Sequence, residues 1–248
     1  MKQGVALSVL SSFLFAALYY YATVLEPLSG ASIFAWRVVL ALPVLALLLS
    51  RARNWKTVHE IHQRLRREAR LWGFLLLSGA LIGVQLLLFM WAPLHGYGLD
   101  VAMGYFLLPL AMVVAGRVFY KERLSPFQRA AVVLAAIGVA HELFRVGAFS
   151  WATAVVMFGY PPYFMLRRHL RMNALAGLWF DMILLTPIAL WVLYQQDISV
   201  LAQFAGRPSL WVLVPLLGAI SSTALVCYLA ASRRLPLGLF GILGYVEP

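Results

Sequence analysis

The stretch ASIFAWRVVLALPVLALLL, residues 31–49, decides the fold. It holds one charge, Arg37, and one proline, Pro43, six residues later. A helix rises 1.5 Å per residue, so this run is long enough to cross the roughly 30 Å of bilayer hydrocarbon. LAGLWFDMILLTPIALWVL, residues 175–193, follows the same plan, with Asp181 six residues before Pro187. An aromatic precedes each charge: Trp36 before Arg37, Phe180 before Asp181. A charge in hydrocarbon costs a few kcal/mol or more, which makes it a functional candidate. Opposite charges at matching places in two halves of one chain suggest an internal repeat, a common plan of transporters.

Outward from these runs the rest of the chain has the same character. Of 248 residues, 63% are apolar and only 12% charged, about half the charge of a soluble domain. Further apolar runs place helices at about 4–24, 30–49, 72–91, 98–120, 125–143, 149–168, 174–194 and 209–231. The fold class is therefore all-α polytopic membrane protein, with eight full spans and part of a ninth. The ninth run begins near Leu235 and the chain stops at Pro248, so a C-terminal truncation is expected. The single cysteine, Cys227, excludes an internal disulfide and reads as a small core residue. His95 and His141 have no partners at ligand spacing, so no metal is expected.

The net charge of +11 is an orientation signal. Counting spans puts Lys2, the loop at 50–71 with its seven basic residues, Arg117, Lys121, Arg123, Arg129, Arg167, Arg168, Arg171, Arg233 and Arg234 on one side. Only Arg37, Arg145 and Arg207 fall to the other. The positive-inside rule makes the crowded side, with the N-terminus, cytoplasmic. WKTVHEIHQRLRREARLW within the loop reads as an amphipathic helix on anionic lipid, with Trp55 and Trp72 at the interface, rather than a nucleic-acid site.

The first half is 1–145, with five spans; the second is 146–248. Five is odd, so the halves insert with opposite orientation. Aligned on their prolines, Arg37 and Asp181 are equivalent. GYFLLP at 104–109 and GYVEP at 244–248 form a second match. Together they point to an inverted repeat.

The segment DVAMGYFLLPLAMVVAGRVFYKERLSPFQRAAVVLAAIGVA, residues 100–140, resembles the EamA family of the drug/metabolite transporter superfamily. Lys121-Glu122-Arg123 supply its turn between the fourth and fifth helices. Asp100 before Gly104-Tyr105-Phe106, Arg37 early in the second helix, Asp181 before a proline in the seventh, and Trp91-Ala92 are most similar to the RarD-type branch. The resemblance implies ten helices in two inverted five-helix repeats around a cavity reached alternately from each side. It also implies export of small metabolites or drugs from a bacterial cell across its inner membrane, ion-gradient coupling or exchange, and no cofactor.

Arg37 offers a planar fork of donors suited to a carboxylate or phosphate, or locks helices by pairing with Asp100 or Glu26. Asp181 suits proton coupling or a substrate amine, or pairs structurally with Arg167, Arg168 or Arg171. Gln85 bonds substrate or a neighbouring helix. Tyr105 and Glu247 complete the binding and coupling candidates, and Pro109, which frees a carbonyl, is expected to line the cavity or act as a hinge. Trp36 and Phe180 are expected to line the cavity. Tyr160, Pro161, Pro162 and Tyr163 are expected to interrupt the sixth span with a kink or break, as a hinge for rocking or as a cavity-lining segment. Gly79, Gly83, Gly238, Gly241 and Gly244 read as close helix contacts. The expected partners are a small molecule bearing a carboxylate or amine, membrane lipid, a coupling ion or proton, and a second copy in a homodimer. Two other classes are weighed. An intramembrane enzyme lacks any His-Glu-x-x-His or Gly-x-Ser-x-Gly signature. A channel would show rings of like charge, not single opposite ones.

Overall fold

Apolar runs that cannot leave backbone groups bare in lipid become helices end to end. The computed structural model describes residues 2–146, 149–196 and 200–246. Its helices are α1 (Lys2–Val24), α2 (Gly30–Arg51), α3 (Trp55–Arg67), α4 (Arg70–Trp91), α5 (Gly98–Tyr120) and α6 (Pro126–Val146). Then come α7 (Trp151–His169), α8 (Ala174–Tyr194), α9 (Val200–Gly206), α10 (Leu210–Arg234) and α11 (Leu237–Leu243). Six of them, α1, α2, α4, α5, α8 and α10, are long and apolar enough to cross a membrane. Helices α6 and α7 occupy the fifth and sixth expected spans with more polar residues.

Starts and stops follow local chemistry. The Ser29 hydroxyl accepts the Ser32 amide at the head of α2, and the Asn173 side chain accepts the Ala176 amide at the head of α8. Helix α5 ends on Lys121, whose left-handed φ of 53° turns the chain so that the Glu122 amide bonds the Gly116 carbonyl.

Packing alternates between the two halves of the chain. Helix α1 lies on α10, α2 on α8 and α10, α4 on α7 and α8, and α5 on α7 and α11. Close approach depends on glycines. A methyl group on Gly83 would lie 2.5 Å from Leu185 of α8, and one on Gly241 would lie 2.9 Å from the Pro109 carbonyl. The main core gathers Val38, Leu45, Leu86, Val156, Phe164, Leu178 and Leu229. Phe13, Tyr20, Leu76, Val118, Leu134, Trp191 and Val212 point outward. Such an apolar surface suits lipid and would drive association in water.

Two expectations are corrected by the helices. Pro161 and Pro162 do not interrupt the sixth span: α7 is helical through both. Two missing amides cost two bonds, and packing of α7 against α4 and α5 holds the helix through the gap. The amphipathic helix α3 forms, but Ile61 and Leu65 are buried against Leu71, Leu75, Leu170 and Phe180. Arg64 donates to the Leu170 carbonyl at 2.8 Å, and Trp55 meets Trp179 edge-on. Protein, as well as any lipid, receives its apolar face.

Candidate functional site: a buried arginine beside an aromatic void

Arg37 lies on α2 about two turns from its start and is 2% exposed. Its Nε donates to Ser221 Oγ of α10 at 2.8 Å. Neither Nη1 nor Nη2 has a hydrogen-bond partner. The pairing with Asp100 or Glu26 weighed from sequence does not form. The Thr153 hydroxyl donates to the Asp100 carbonyl, and Arg207 bonds the Glu26 carbonyl. The Arg37 guanidinium lies 5.5 Å from the centre of the Phe89 ring, within cation–π range. It borders a void of about 20 Å³ shared with Phe15, Leu86, Phe89, Tyr105, Tyr160 and Tyr228. The Tyr105 and Tyr160 hydroxyl oxygens are 3.3 Å apart.

A second void, about 210 Å³, shares the walls Phe15, Phe89 and Tyr105 and continues to Tyr19, Phe106 and Tyr245. A third, about 30 Å³, lies between Tyr105, Pro109, Tyr228, Phe240 and Gly241. Tyr105 therefore bounds all three. Pro109 lines the third, and its missing amide frees the Tyr105 carbonyl from the helix ladder.

Asp181 forms a separate cluster. It is fully buried on α8. Arg167 Nη1 approaches its Oδ2 at 3.4 Å, and the Tyr163 hydroxyl donates to the same oxygen at 3.2 Å. Ser78 of α4 donates to Oδ1 at 3.5 Å. Arg167 also donates to the carbonyls of Asn173 and Ala174. Gly177 makes room for it, since any side chain there would overlap the guanidinium. The arrangement matches the structural alternative weighed for Asp181. Arg37 and Asp181 have no hydrogen bond or ion pair in common.

Comparison with known proteins adds the family. The EamA-like transporter family matches residues 2–141, more than half of the chain. The chloramphenicol-sensitive protein RarD of Pseudomonas aeruginosa is 48% identical over 246 residues, which cover 99% of this chain and 82% of that protein. The chain belongs to the EamA-like transporter family. An uncharacterized transporter of Haemophilus influenzae is 40% identical, over all of this chain and 82% of its own length. Protein RarD of Salmonella typhi is 28% identical, over all of this chain and 83% of its own length. No solved structure matches. This EamA-like protein is an integral membrane transporter of small molecules, of the RarD-type branch, and its role is transport rather than catalysis.

Within this EamA-like chain the remaining candidates have distinct surroundings. Gln85 donates to the Val155 carbonyl of α7 at 2.8 Å, while its Oε1 is buried without a partner. It presses against Gly159 and bridges two helices. Trp36 packs on Phe204 of α9, and Phe180 lies in the apolar cluster under α3. Neither borders the three voids. Tyr160 reaches the Arg37 void and Tyr163 the Asp181 cluster, so successive turns of α7 serve both. Pro161 is buried and Pro162 half-buried between them. Glu247 lies outside the described residues.

Sequence reasoning missed Ser221, Ser78, Phe89 and Tyr228. A signal existed for the serines, because hydroxyls in apolar spans bond across helices. Phe89 and Tyr228 carry none beyond aromatic character.

Proposed function

We propose that this transporter is a secondary carrier built from two inverted repeats, 1–145 with five spans and 146–248 with three spans and part of a fourth. It works by alternating access about the Arg37 void and exports small metabolites or drugs from a bacterial cell. Its N-terminus and the α3 loop lie in the cytoplasm. The observation that carries this reading is the pattern of helix pairs. Exchanging α1 with α7, α2 with α8, α4 with α10 and α5 with α11 turns the α1–α10 pair into α7–α4. The same exchange turns α2–α10 into α8–α4, α2–α4 into α8–α10, and α5–α7 into α11–α1. The pairs α2–α8 and α5–α11 map onto themselves. This exchange supports a pseudo-two-fold relation between the halves, and the odd number of spans in the first half favours an axis in the membrane plane. Arg37 and Asp181 both lie on the self-paired helices α2 and α8. A carrier rocks about such an axis, and a site beside it is exposed to each side in turn.

Arg37, Tyr105, Tyr160 and Pro109 line the pathway. Asp181 and Glu247 are the coupling candidates, for a proton or another ion, and two copies form a homodimer. The name of the P. aeruginosa relative makes chloramphenicol the first compound to try, beside amino acids and small organic acids. Uptake into inside-out vesicles tests the reading. Saturable, gradient-driven flux is expected, and flux that rises linearly with concentration would indicate a channel. A cysteine at His59 in a Cys227→Ser background should react with an impermeant maleimide only from the cytoplasmic side. Labelling from outside would reverse the topology.

A further inference from the structure

We infer that the void beside Arg37 is an anion site, taking the carboxylate of a small amphipathic acid whose apolar or aromatic body lies in the adjoining void bounded by Phe15, Phe89 and Tyr105. This rests on the reading of that space as the transport pathway.

Arg37 carries an unsatisfied charge. Guanidinium carries five N–H donors and stays protonated in proteins. Of these, only the Nε proton of Arg37 is bonded, and both terminal nitrogens are buried. Leaving a buried charge without a partner is strongly destabilising. The other arginines at helix contacts are treated differently. Arg167 has Asp181 and two carbonyls, and Arg168 has Glu122 and the carbonyls of Ser232 and Leu235. Among the described residues, no carboxylate bonds Arg37. The bond to Ser221 and the Phe89 ring fix its Nε edge and face. The two terminal nitrogens that fit a carboxylate in a fork are left over.

The described residues lining the three voids include one cation, Arg37, and no Asp or Glu. A substrate ammonium would meet repulsion and find no counter-charge. The remaining walls are mainly aromatic, aliphatic and glycine, with phenol hydroxyls at Tyr105 and Tyr160 near the arginine. The roughly 20 Å³ beside Arg37 holds about one water molecule, so a carboxylate enters as the Tyr105 side chain turns and joins this space to the adjoining one. The adjoining space, about 210 Å³ and open to the surface past the exposed Tyr19 and Phe106, exceeds the roughly 150 Å³ that takes a benzene ring. A compact charged head on a ring-sized apolar body fits the two spaces once joined.

The test uses the full chain, purified in detergent, with 3-phenylpropanoate, its amide 3-phenylpropanamide and 2-phenylethylammonium as probes. Binding is read by tryptophan fluorescence and by shift of the melting temperature. The acid is expected to bind at least about tenfold more tightly than the amide, from the charge-assisted bonds, and the ammonium more weakly still. Arg37→Gln should abolish the preference for acid over amide, and Arg37→Lys should keep part of it. Ser221→Ala, which leaves the charge in place, should keep the preference with reduced affinity. Equal binding of acid and amide overturns the inference, as does an acid preference that survives in Arg37→Gln. Should Arg37→Gln fail to fold, the wild-type ranking of the three probes decides alone. Acid binding without saturable flux would retain the anion site and remove the carrier reading. Saturable flux of neutral solutes without acid preference would do the reverse.

Discussion

Glu122 and Arg168 meet at 3.5 Å, joining the turn after α5 to the end of α7. Glu122 also accepts the first two amides of α11, Leu237 and Gly238, at 2.8 Å each. One carboxylate thus caps a helix in the second half of the chain from the first half, where a negative charge is favoured by the open amides. Glu122→Ala should cost about 1–3 kcal/mol through the lost charged bonds. Hydrogen exchange should speed up at Leu237 and Gly238 before the rest of the protein. Unchanged exchange there would remove Glu122 as the clasp.

Asp181→Asn leaves Arg167 buried with two carbonyls and no counter-charge. A loss of about 3–5 kcal/mol is expected. The double variant Arg167→Met, Asp181→Leu should recover most of that, because an apolar pair needs no desolvation of ions. Melting temperature checks the first part. Flux checks the second: it should stay absent in the double variant if Asp181 serves coupling. Full recovery of flux would make the cluster structural only.

Gly30→Ala and Gly73→Ala should part company. A methyl group at Gly30 would lie 2.5 Å from the Met90 carbonyl and 2.8 Å from the Trp91 Cα, both backbone atoms that cannot rotate away. A cost of about 1–3 kcal/mol follows from overpacking where α2 meets α4. At Gly73 the methyl group meets nothing within 4 Å. Alanine there should stabilise α4 by up to about 1 kcal/mol through helix propensity. Thermal unfolding of the two variants in one detergent checks the difference.

Gln85→Met removes the bond to Val155 together with an unpartnered amide oxygen. The two changes oppose each other, so stability should move by less than about 1 kcal/mol. Flux should persist if Gln85 only bridges α4 and α7. A large fall in flux at unchanged melting temperature would put Gln85 on the pathway.

The helices were legible in the sequence because lipid leaves backbone so few options, and six of them are long and apolar enough to cross a membrane. The eight expected runs each contain a helix, from α1 to α10, with small shifts at the ends. The two intramembrane charges were legible too, since a lone Arg37 or Asp181 stands out in apolar sequence. Their partners were not. Ser221 lies 184 residues from Arg37, and nothing in either local sequence encodes that approach. Arg167 was only one of three arginines that could reach Asp181, and the glycine at 177 that admits it acts only across a helix contact. The Pro161-Pro162 pair misled because a local rule predicts a break, whereas contacts from α4 and α5 determine whether the helix continues. The basic loop misled in part for a related reason: an amphipathic face records that it is covered, not by what.

The ring of Tyr105 is a partition common to three compartments. Tyr105 lines each of them, and its side chain turns about one bond. Side-chain rotation is far faster than helix rocking. The largest cargo that fits can therefore change with one substitution, Tyr105→Ala, which gives up only the ring's contacts to neighbours such as Phe89 and Tyr160. Breadth of substrate range in such a carrier is then an evolvable property of a single torsion, separable from the rocking that moves the cargo.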